Sequence, residues 1–140
     1  MTHLSLNKIK EKAESLCDKI GANLDSYVTF GTSRDFGYPH IEVDSYGYHF
    51  VVVERGQELE RRITDDIDEL IYLILDVVTS SMAWDYEVEN RIEDQDSRKL
   101  AFTKQLELMN KISNSYAEKL QRHIDGILKV APYTTPPDFI

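Results

Sequence analysis

The sequence predicts an α+β fold, in which a small antiparallel sheet of three or four strands forms a meander and packs against about four helices. One signal is an alternating pattern around a turn, over residues 40–54, which is typical of a β-hairpin. A second is the helical spacing of apolar residues on both sides of that hairpin. Because strand and helix signals occupy separate blocks, they favour α+β over alternating α/β folds.

A first helix is predicted over residues 4–20. Its apolar residues recur at helical spacing and would form one buried stripe. Gly21 suits the end of the first helix, because glycine readily adopts the left-handed conformation found there. Residues 26–30 favour a strand by composition. The apolar stripe of the first helix comprises Ile9, Ala13, Leu16, Cys17 and Ile20.

The hairpin has two possible registers, and they bury different side chains. Asp44 and Gly47, at the first and fourth turn positions, favour a type I turn with a bulge at the glycine, and we expect this register. Residues 58–63 would then add a third strand. The bulged register groups Ile41, Val43, His49, Val51 and Val53 on one face. A plain two-residue loop would instead group Ile41 and Val43 with Tyr48, Phe50 and Val52.

A long helix is predicted from residue 65 to about residue 84. Thr64 suits its N-cap, and the acidic Asp65 and Asp66 suit the positive end of the helix dipole. Apolar residues cover most of its circumference, so we expect it to be the buried central helix. Residues 86–92 would either continue this helix or form a separate turn.

Two further helices are predicted in the C-terminal half. Residues 97–112 carry one apolar side, and Ser115 with Glu118 has the spacing of a capping box that opens the last helix. Three prolines exclude a regular ending, so residues 132–140 are predicted to be a tail. The chain has the length of one domain, which is expected to span residues 1–131.

Composition limits the classes of function. The net charge of −9 disfavours nucleic-acid binding, which needs a positively charged surface. No apolar run is long enough to span a membrane, and no apolar segment follows the N-terminal lysines as a secretory signal requires. The single cysteine, Cys17, cannot form an internal disulfide. We therefore expect a cytoplasmic protein that binds neither nucleic acid nor a membrane.

Few residue patterns in the chain are typical of catalysis. Glycine-rich phosphate loops, serine nucleophile elbows and paired zinc-binding histidines are all absent from the sequence. His40, Glu42 and His49 could bind zinc or iron, but only the plain hairpin register brings all three to one face. Otherwise they form a polar sheet face. We expect no enzymatic activity and no cofactor; a small metal-binding or hydrolytic enzyme using this trio, or a generic interaction adaptor, is the alternative.

The densest run of acidic residues lies between residues 85 and 96. Such a run is either a solvated surface or a binding patch for a basic partner. Tyr86 lies within it, and large aromatic residues beside charge are typical interface anchors. Nearby arginines would form internal ion pairs, for example Arg91 with Glu87. The residues expected to contact a protein partner are Asp85, Tyr86, Glu87, Glu89, Glu93, Asp94 and Asp96.

Several strings within residues 38–130 occur in the order found in one known family. The longest are PHIEVD (39–44), GYHFVVVERG (47–56), QELERR (57–62) and TDDIDEL (64–70). Shorter ones lie at residues 81–83, 85–86, 91–92, 95–96, 98 and 105–108. Together these strings resemble the immunity protein 63 family of bacterial polymorphic toxin systems. A long collinear match of this kind is more specific than a short motif.

The resemblance implies a protein that is encoded beside a toxin gene, binds the toxin and protects the producing cell. It implies no particular contact residues. A toxin with a basic cleft, such as a nuclease, would complement the acidic run. The expected partner is therefore a cognate toxin domain, and the oligomeric state stays open.

Overall fold

The computed structural model describes residues 3–134, and it contains the elements of an α+β protein. Within these residues lie four α-helices and one four-stranded sheet, so the predicted fold class is confirmed. The helices are α1 (Leu6–Cys17), α2 (Ile67–Glu89), α3 (Ser97–Ile112) and α4 (Asn114–Val130). The strands are β1 (Thr29–Phe30), β2 (Pro39–Asp44), β3 (Gly47–Glu54) and β4 (Gln57–Thr64).

The backbone divides into two compact units, Met1–Val78 and Thr79–Ile140. The first unit contains α1, the sheet and the beginning of α2. The second contains the remainder of α2 together with α3 and α4. The single domain predicted over residues 1–131 stays a prediction.

The helix predicted over residues 4–20 is shorter in the structure: α1 ends at Cys17, and a 3₁₀ turn over Asp18–Ile20 follows it. Ser5 caps the start of α1 by accepting a hydrogen bond from the Lys8 amide at 3.2 Å, and Gly21 ends the 3₁₀ turn with a φ of 67°. Cys17 is buried on the apolar stripe, and this burial raises the pKa of its thiol to about 11. The thiol is therefore protonated at neutral pH, as expected of a core residue and not of a nucleophile.

The sheet has the order β1-β2-β3-β4, and its last three strands form the predicted antiparallel meander. The segment predicted as a first strand contributes only Thr29 and Phe30, which pair with β2 in parallel. The loop of residues 31–38 carries the chain back before β2 begins, so the sheet is mixed. A 3₁₀ turn over Leu24–Ser26 precedes β1.

The predicted bulged register of the hairpin is wrong. A plain two-residue loop joins β2 to β3, with Asp44 paired to Gly47 and Glu42 paired to His49. This register places one aliphatic and two aromatic side chains on the same face, and each is at most 5% exposed. Burial of this face outweighs the preference of the turn residues for a bulge. The buried side chains are Ile41, Tyr48 and Phe50.

Helix α2 has the buried character that the sequence predicts, and residues 70–75 are all buried. It begins later than expected because Asp66, and not Thr64, caps it: the Asp68 amide donates to Asp66 Oδ1 at 2.9 Å. It continues to Glu89, so residues 86–89 extend the helix. Within residues 3–134, none of the helices combines the length and the hydrophobicity needed to span a bilayer.

Side-chain caps define both C-terminal helices. Helix α3 has the predicted bounds, and Asp96 caps it by accepting from the Arg98 amide at 3.0 Å. Ser113 caps α4 by accepting from the Tyr116 amide at 3.2 Å, so the capping box predicted at Ser115 is wrong by two residues. Ser113 has the extended backbone that an N-cap requires, with a φ of −163°, whereas Ser115 already lies within the helix.

The chain after α4 returns to the start of α3. The Pro132 carbonyl accepts a hydrogen bond from Arg98 Nη2 at 2.9 Å, and the Thr134 amide donates to Asp96 Oδ2 at 3.0 Å. The Tyr133 ring lies beside the same guanidinium, with its centroid 5.6 Å from Arg98 Cζ. Residues 132–134 thus lie outside the helix, and residues 135–140 of the predicted tail lie outside the described residues.

Gly126 lies inside α4, where a β-carbon would meet no other atom within 4 Å. Because glycine loses more backbone entropy than alanine when a helix forms, Gly126→Ala should raise the free energy of unfolding by about 0.5–1 kcal/mol. Urea denaturation of both proteins measures the difference. A free energy that is unchanged or lower contradicts the prediction.

Candidate functional site

The end of α2 and the loop after it display most of the acidic residues predicted to bind a partner. Trp84 and Val88 are four residues apart, so their side chains lie one turn apart on the same side of the helix. Asp85 and Glu89 have the same spacing and lie beside them. Large apolar and acidic side chains therefore alternate over this face. We call the exposed acidic and large apolar residues of the segment the α2-end surface: Trp84, Asp85, Tyr86, Val88, Glu89, Ile92, Glu93 and Asp94. Asn90 and Arg91 between them are also exposed.

Glu87 lies in the same segment, but its side chain is only 1% exposed. Its carboxylate oxygens accept hydrogen bonds from Arg91 Nε at 3.0 Å and from Arg91 Nη2 at 2.8 Å. The i,i+4 ion pair predicted from the sequence is thereby confirmed, and the Arg91 guanidinium lowers the pKa of Glu87. The Asn90 side-chain amide also donates to the Tyr86 carbonyl at 3.0 Å. These contacts fix the last turn of α2.

Asp96 is likewise occupied by internal contacts, and 9% of the residue is exposed. Besides capping α3, its Oδ1 accepts from Arg98 Nε at 3.2 Å, and its Oδ2 accepts from Arg98 Nη2 at 2.8 Å. Hydrogen bonds from Arg98 hold the pKa of Asp96 well below its usual range. Asp96 and Glu87 therefore organise the segment that displays the other carboxylates.

Tyr86 is oriented by a cation. Lys104 Nζ lies 4.6 Å from the centroid of the tyrosine ring and 3.3 Å from Glu107 Oε1. A cation–π contact of this length favours a fixed ring position. Tyr86 nevertheless stays 37% exposed, so part of the ring is open to a partner.

The α2-end surface combines carboxylates with apolar side chains. Among the residues that the structure describes, no ion pair involves its four carboxylates. Their charge is therefore not compensated locally, and it creates a negative potential beside exposed aromatic rings. Such a surface suits a basic protein, since long-range attraction and aromatic contacts act together. The four carboxylates are those of Asp85, Glu89, Glu93 and Asp94.

The plain hairpin register brings His40, Glu42 and His49 to one face of the sheet. His40 Nε2 lies 2.7 Å from Glu42 Oε2, and His49 Nε2 lies 2.8 Å from Asp44 Oδ1. Both histidines are only 4% exposed. Each histidine therefore directs one ring nitrogen at a carboxylate inside the sheet face and offers little surface to a substrate.

Arg61 on β4 joins these two histidine–carboxylate pairs. Its Nη1 lies 3.1 Å from Glu42 Oε1 and 2.8 Å from His49 Nδ1. A guanidinium can only donate, so His49 Nδ1 accepts and the proton on Nε2 is donated to Asp44. Hydrogen bonds from His40 and then Arg61 lower the pKa of Glu42. Within residues 3–134, no group of three or more acidic, histidine or cysteine residues is arranged to hold a metal ion.

Sequence reasoning missed Asp44 and Arg61 as partners of the histidines. Both follow from the observed register, which pairs Glu42 with His49 and Val51 with Arg61. The third strand predicted over residues 58–63 was the available signal, but a strand identifies cross-strand neighbours only when the register of both hairpins is known. The resulting network ties β2, β3 and β4 together.

A family model for Immunity protein 63 matches residues 44–126, which is more than half of the chain. The chain belongs to the immunity protein 63 family. The resemblance predicted from the sequence is thus confirmed, and the part matched to Immunity protein 63 includes the whole α2-end surface. No curated protein and no solved structure gives a significant match. Membership in the immunity protein 63 family implies, in general terms, a toxin as the protein partner.

Proposed function

We propose that the chain binds a toxin encoded beside its own gene and neutralises it in the cytoplasm of the producing cell. Membership in the immunity protein 63 family carries this proposal, because the action of an immunity protein is directed at a toxin. The uncompensated carboxylates support a toxin with a basic surface. A nuclease is one such toxin, since a site that binds phosphates is positively charged.

The α2-end surface is the proposed contact site. Its carboxylates would speed the encounter with a basic toxin, and its apolar side chains would make the close contacts. Glu87 and Asp96, both predicted as contacts from the sequence, would support the surface from within through Arg91 and Arg98. Their internal pairing holds the segment in place before the toxin arrives, which lowers the entropy lost on binding.

Charge reversal of exposed carboxylates tests this contact site. The triple variant Asp85→Lys, Glu89→Lys and Glu93→Lys leaves both internal ion pairs intact, so it should fold. Against an inactive form of the toxin domain from the neighbouring gene, we expect affinity about 100-fold lower at low salt, mostly through slower association. The difference should shrink at high salt, where exposed charges are screened. Surface plasmon resonance at several salt concentrations measures both rates.

A matched control changes the net charge equally at other exposed positions: Glu11→Lys, Glu14→Lys and Glu118→Lys. These carboxylates lie on α1 and α4, and we expect much smaller losses of affinity. Equal losses in the two triple variants would remove the α2-end surface from the proposal. A wild-type chain that neither binds the toxin nor protects cells producing it would contradict the proposed function itself.

A further inference from the structure

The loop between β1 and β2 exposes an aromatic side chain on an unfavourable backbone. Phe36 is 81% exposed. Its φ is 57°, and its neighbours Asp35 and Gly37 have φ values of 59° and 79°. Aspartate and glycine tolerate the left-handed region, whereas a bulky side chain crowds the backbone there. The phenylalanine therefore strains the backbone at this position, and its side chain contributes little to stability through burial.

The loop is braced against the turn between β3 and β4. The Gly37 amide donates to the Val53 carbonyl at 2.9 Å, and the Gly56 amide donates to Asp35 Oδ1 at 3.3 Å. The Tyr38 amide closes the left-handed turn by donating to the Asp35 carbonyl at 3.1 Å. The two backbone segments therefore hold Phe36 between fixed points.

Arg34 ties the loop to the 3₁₀ turn that precedes β1. Its guanidinium carbon lies 3.8 Å from the centroid of the Tyr38 ring. Its Nη1 donates to the Asp25 carbonyl at 2.8 Å, and its Nη2 donates to the Ser26 carbonyl at 3.3 Å. Because both ends of the loop are tied down, the phenyl ring is presented in a defined place, which lowers the entropy lost on insertion into a partner.

We propose that Phe36 is an anchor that inserts into an apolar pocket of the toxin, an inference that rests on the proposed function. Rigid, exposed aromatic side chains are typical of the few residues that carry most of the affinity of an interface. Backbone strain that persists at an exposed position is typical of a functional site. The exposed Glu54 and Arg55 on the bracing turn would form a polar rim around the apolar contact.

The charges around Phe36 favour a protein pocket over a lipid surface. Segments that bind membranes combine aromatic residues with an excess of lysine and arginine. Here Asp35 and Glu54 balance Arg34 and Arg55, and the chain as a whole carries a net charge of −9. An anionic lipid surface would repel such a chain.

Two substitutions distinguish the effect of the phenyl ring from the effect of the backbone strain. Phe36→Ala removes the ring and keeps the strain, whereas Phe36→Gly removes both. The control is Tyr46→Ala, because Tyr46 is 78% exposed in the loop between β2 and β3 and has no left-handed backbone. Calorimetric titration with the inactive toxin domain gives the affinity, and thermal melting gives the stability of each variant.

We expect both Phe36 variants to bind about tenfold or more weakly, while Tyr46→Ala binds as wild type does. Phe36→Gly should melt at or above the wild-type temperature, because glycine relieves the strain. Lower affinity without lower stability excludes unfolding as the cause.

Three results would overturn the assignment of Phe36 while leaving the proposed function in place. They are wild-type affinity in Phe36→Gly, an equal loss in Tyr46→Ala, and wild-type binding to phosphatidylserine vesicles that Phe36→Ala abolishes. A wild-type chain that fails to bind the toxin domain contradicts the proposed function, and the anchor with it.

Discussion

Gly47→Ala is expected to lower the free energy of unfolding by about 3 kcal/mol or more, from the combined cost of backbone strain and steric overlap. Gly47 begins β3 with a φ of 133°, a region that L residues rarely adopt. A β-carbon there would lie 2.8 Å from the Thr64 carbonyl oxygen and 3.1 Å from Asp65 Oδ1. Thr64 is paired with Tyr48 at the end of β4, so its backbone cannot retreat without disturbing the ladder.

The overlap would also reach the residues that connect β4 to α2. Asp65 Oδ1 accepts a hydrogen bond from His3 Nε2 at 2.8 Å, and the next residue, Asp66, caps α2. Urea denaturation followed by circular dichroism measures the loss. The control is Gly56→Ala, where φ is 74° and a β-carbon would meet nothing within 4 Å. We expect a cost of about 1 kcal/mol there, and equal costs at the two glycines would contradict the steric explanation.

Local signals were sufficient to predict the helices and the meander. The bounds of α3, the end of the 3₁₀ turn after α1 at Gly21 and the third antiparallel strand all follow from spacing and turn residues within a few positions. The hairpin register could not be settled in this way, because a shift of one residue moves every side chain to the other face and the turn residues favoured the bulged form, which is wrong. What decides it is the burial of Tyr48 and Phe50. The Tyr48 hydroxyl also accepts a hydrogen bond from the Leu4 amide, 44 residues away.

The candidate site could likewise be predicted from the sequence only where its contacts are local. The acidic run is visible in the sequence, and the spacing of Glu87 and Arg91 predicts their ion pair. The burial of Asp96 was not predictable, because one of its donors, Thr134, lies 38 residues away. Phe36 gave no signal either, since its left-handed backbone is imposed by hydrogen bonds to the turn between β3 and β4.

Asp96 is the residue on which the start of α3 and the segment after α4 converge. Its Oδ1 caps the helix, and its Oδ2 accepts from the Arg98 guanidinium and from both the amide and the hydroxyl of Thr134. Only a carboxylate can accept all of these bonds, because both of its oxygens are acceptors. Asp96 also compensates the positive charge of Arg98, whose side chain is only 24% exposed.

Asp96→Asn is expected to lower the free energy of unfolding by about 2–3 kcal/mol at pH 7. The amide oxygen can still cap α3, but the amide NH₂ group would then face the donors of Arg98 and Thr134. If the asparagine amide is rotated by 180°, its oxygen can accept from Arg98 and Thr134, but it no longer caps α3. Asp94→Asn is the matched control, because Asp94 is exposed and asparagine tolerates its φ of 60° as well as aspartate does. We expect almost no change there.

The loss in Asp96→Asn should also depend on pH. Hydrogen bonds from Arg98 hold the pKa of Asp96 in the folded chain below its ordinary value of 3.8, so the folded chain binds this proton less readily than the unfolded chain. The carboxylate therefore stabilises the fold fully above about pH 4, and its contribution declines as the pH falls towards the folded pKa. The asparagine variant has no such proton to bind. The difference in free energy of unfolding between the two proteins should therefore narrow as the pH falls from about 4 to about 2. If urea denaturation shows a constant difference over this range, the carboxylate does not stabilise the fold through its charge.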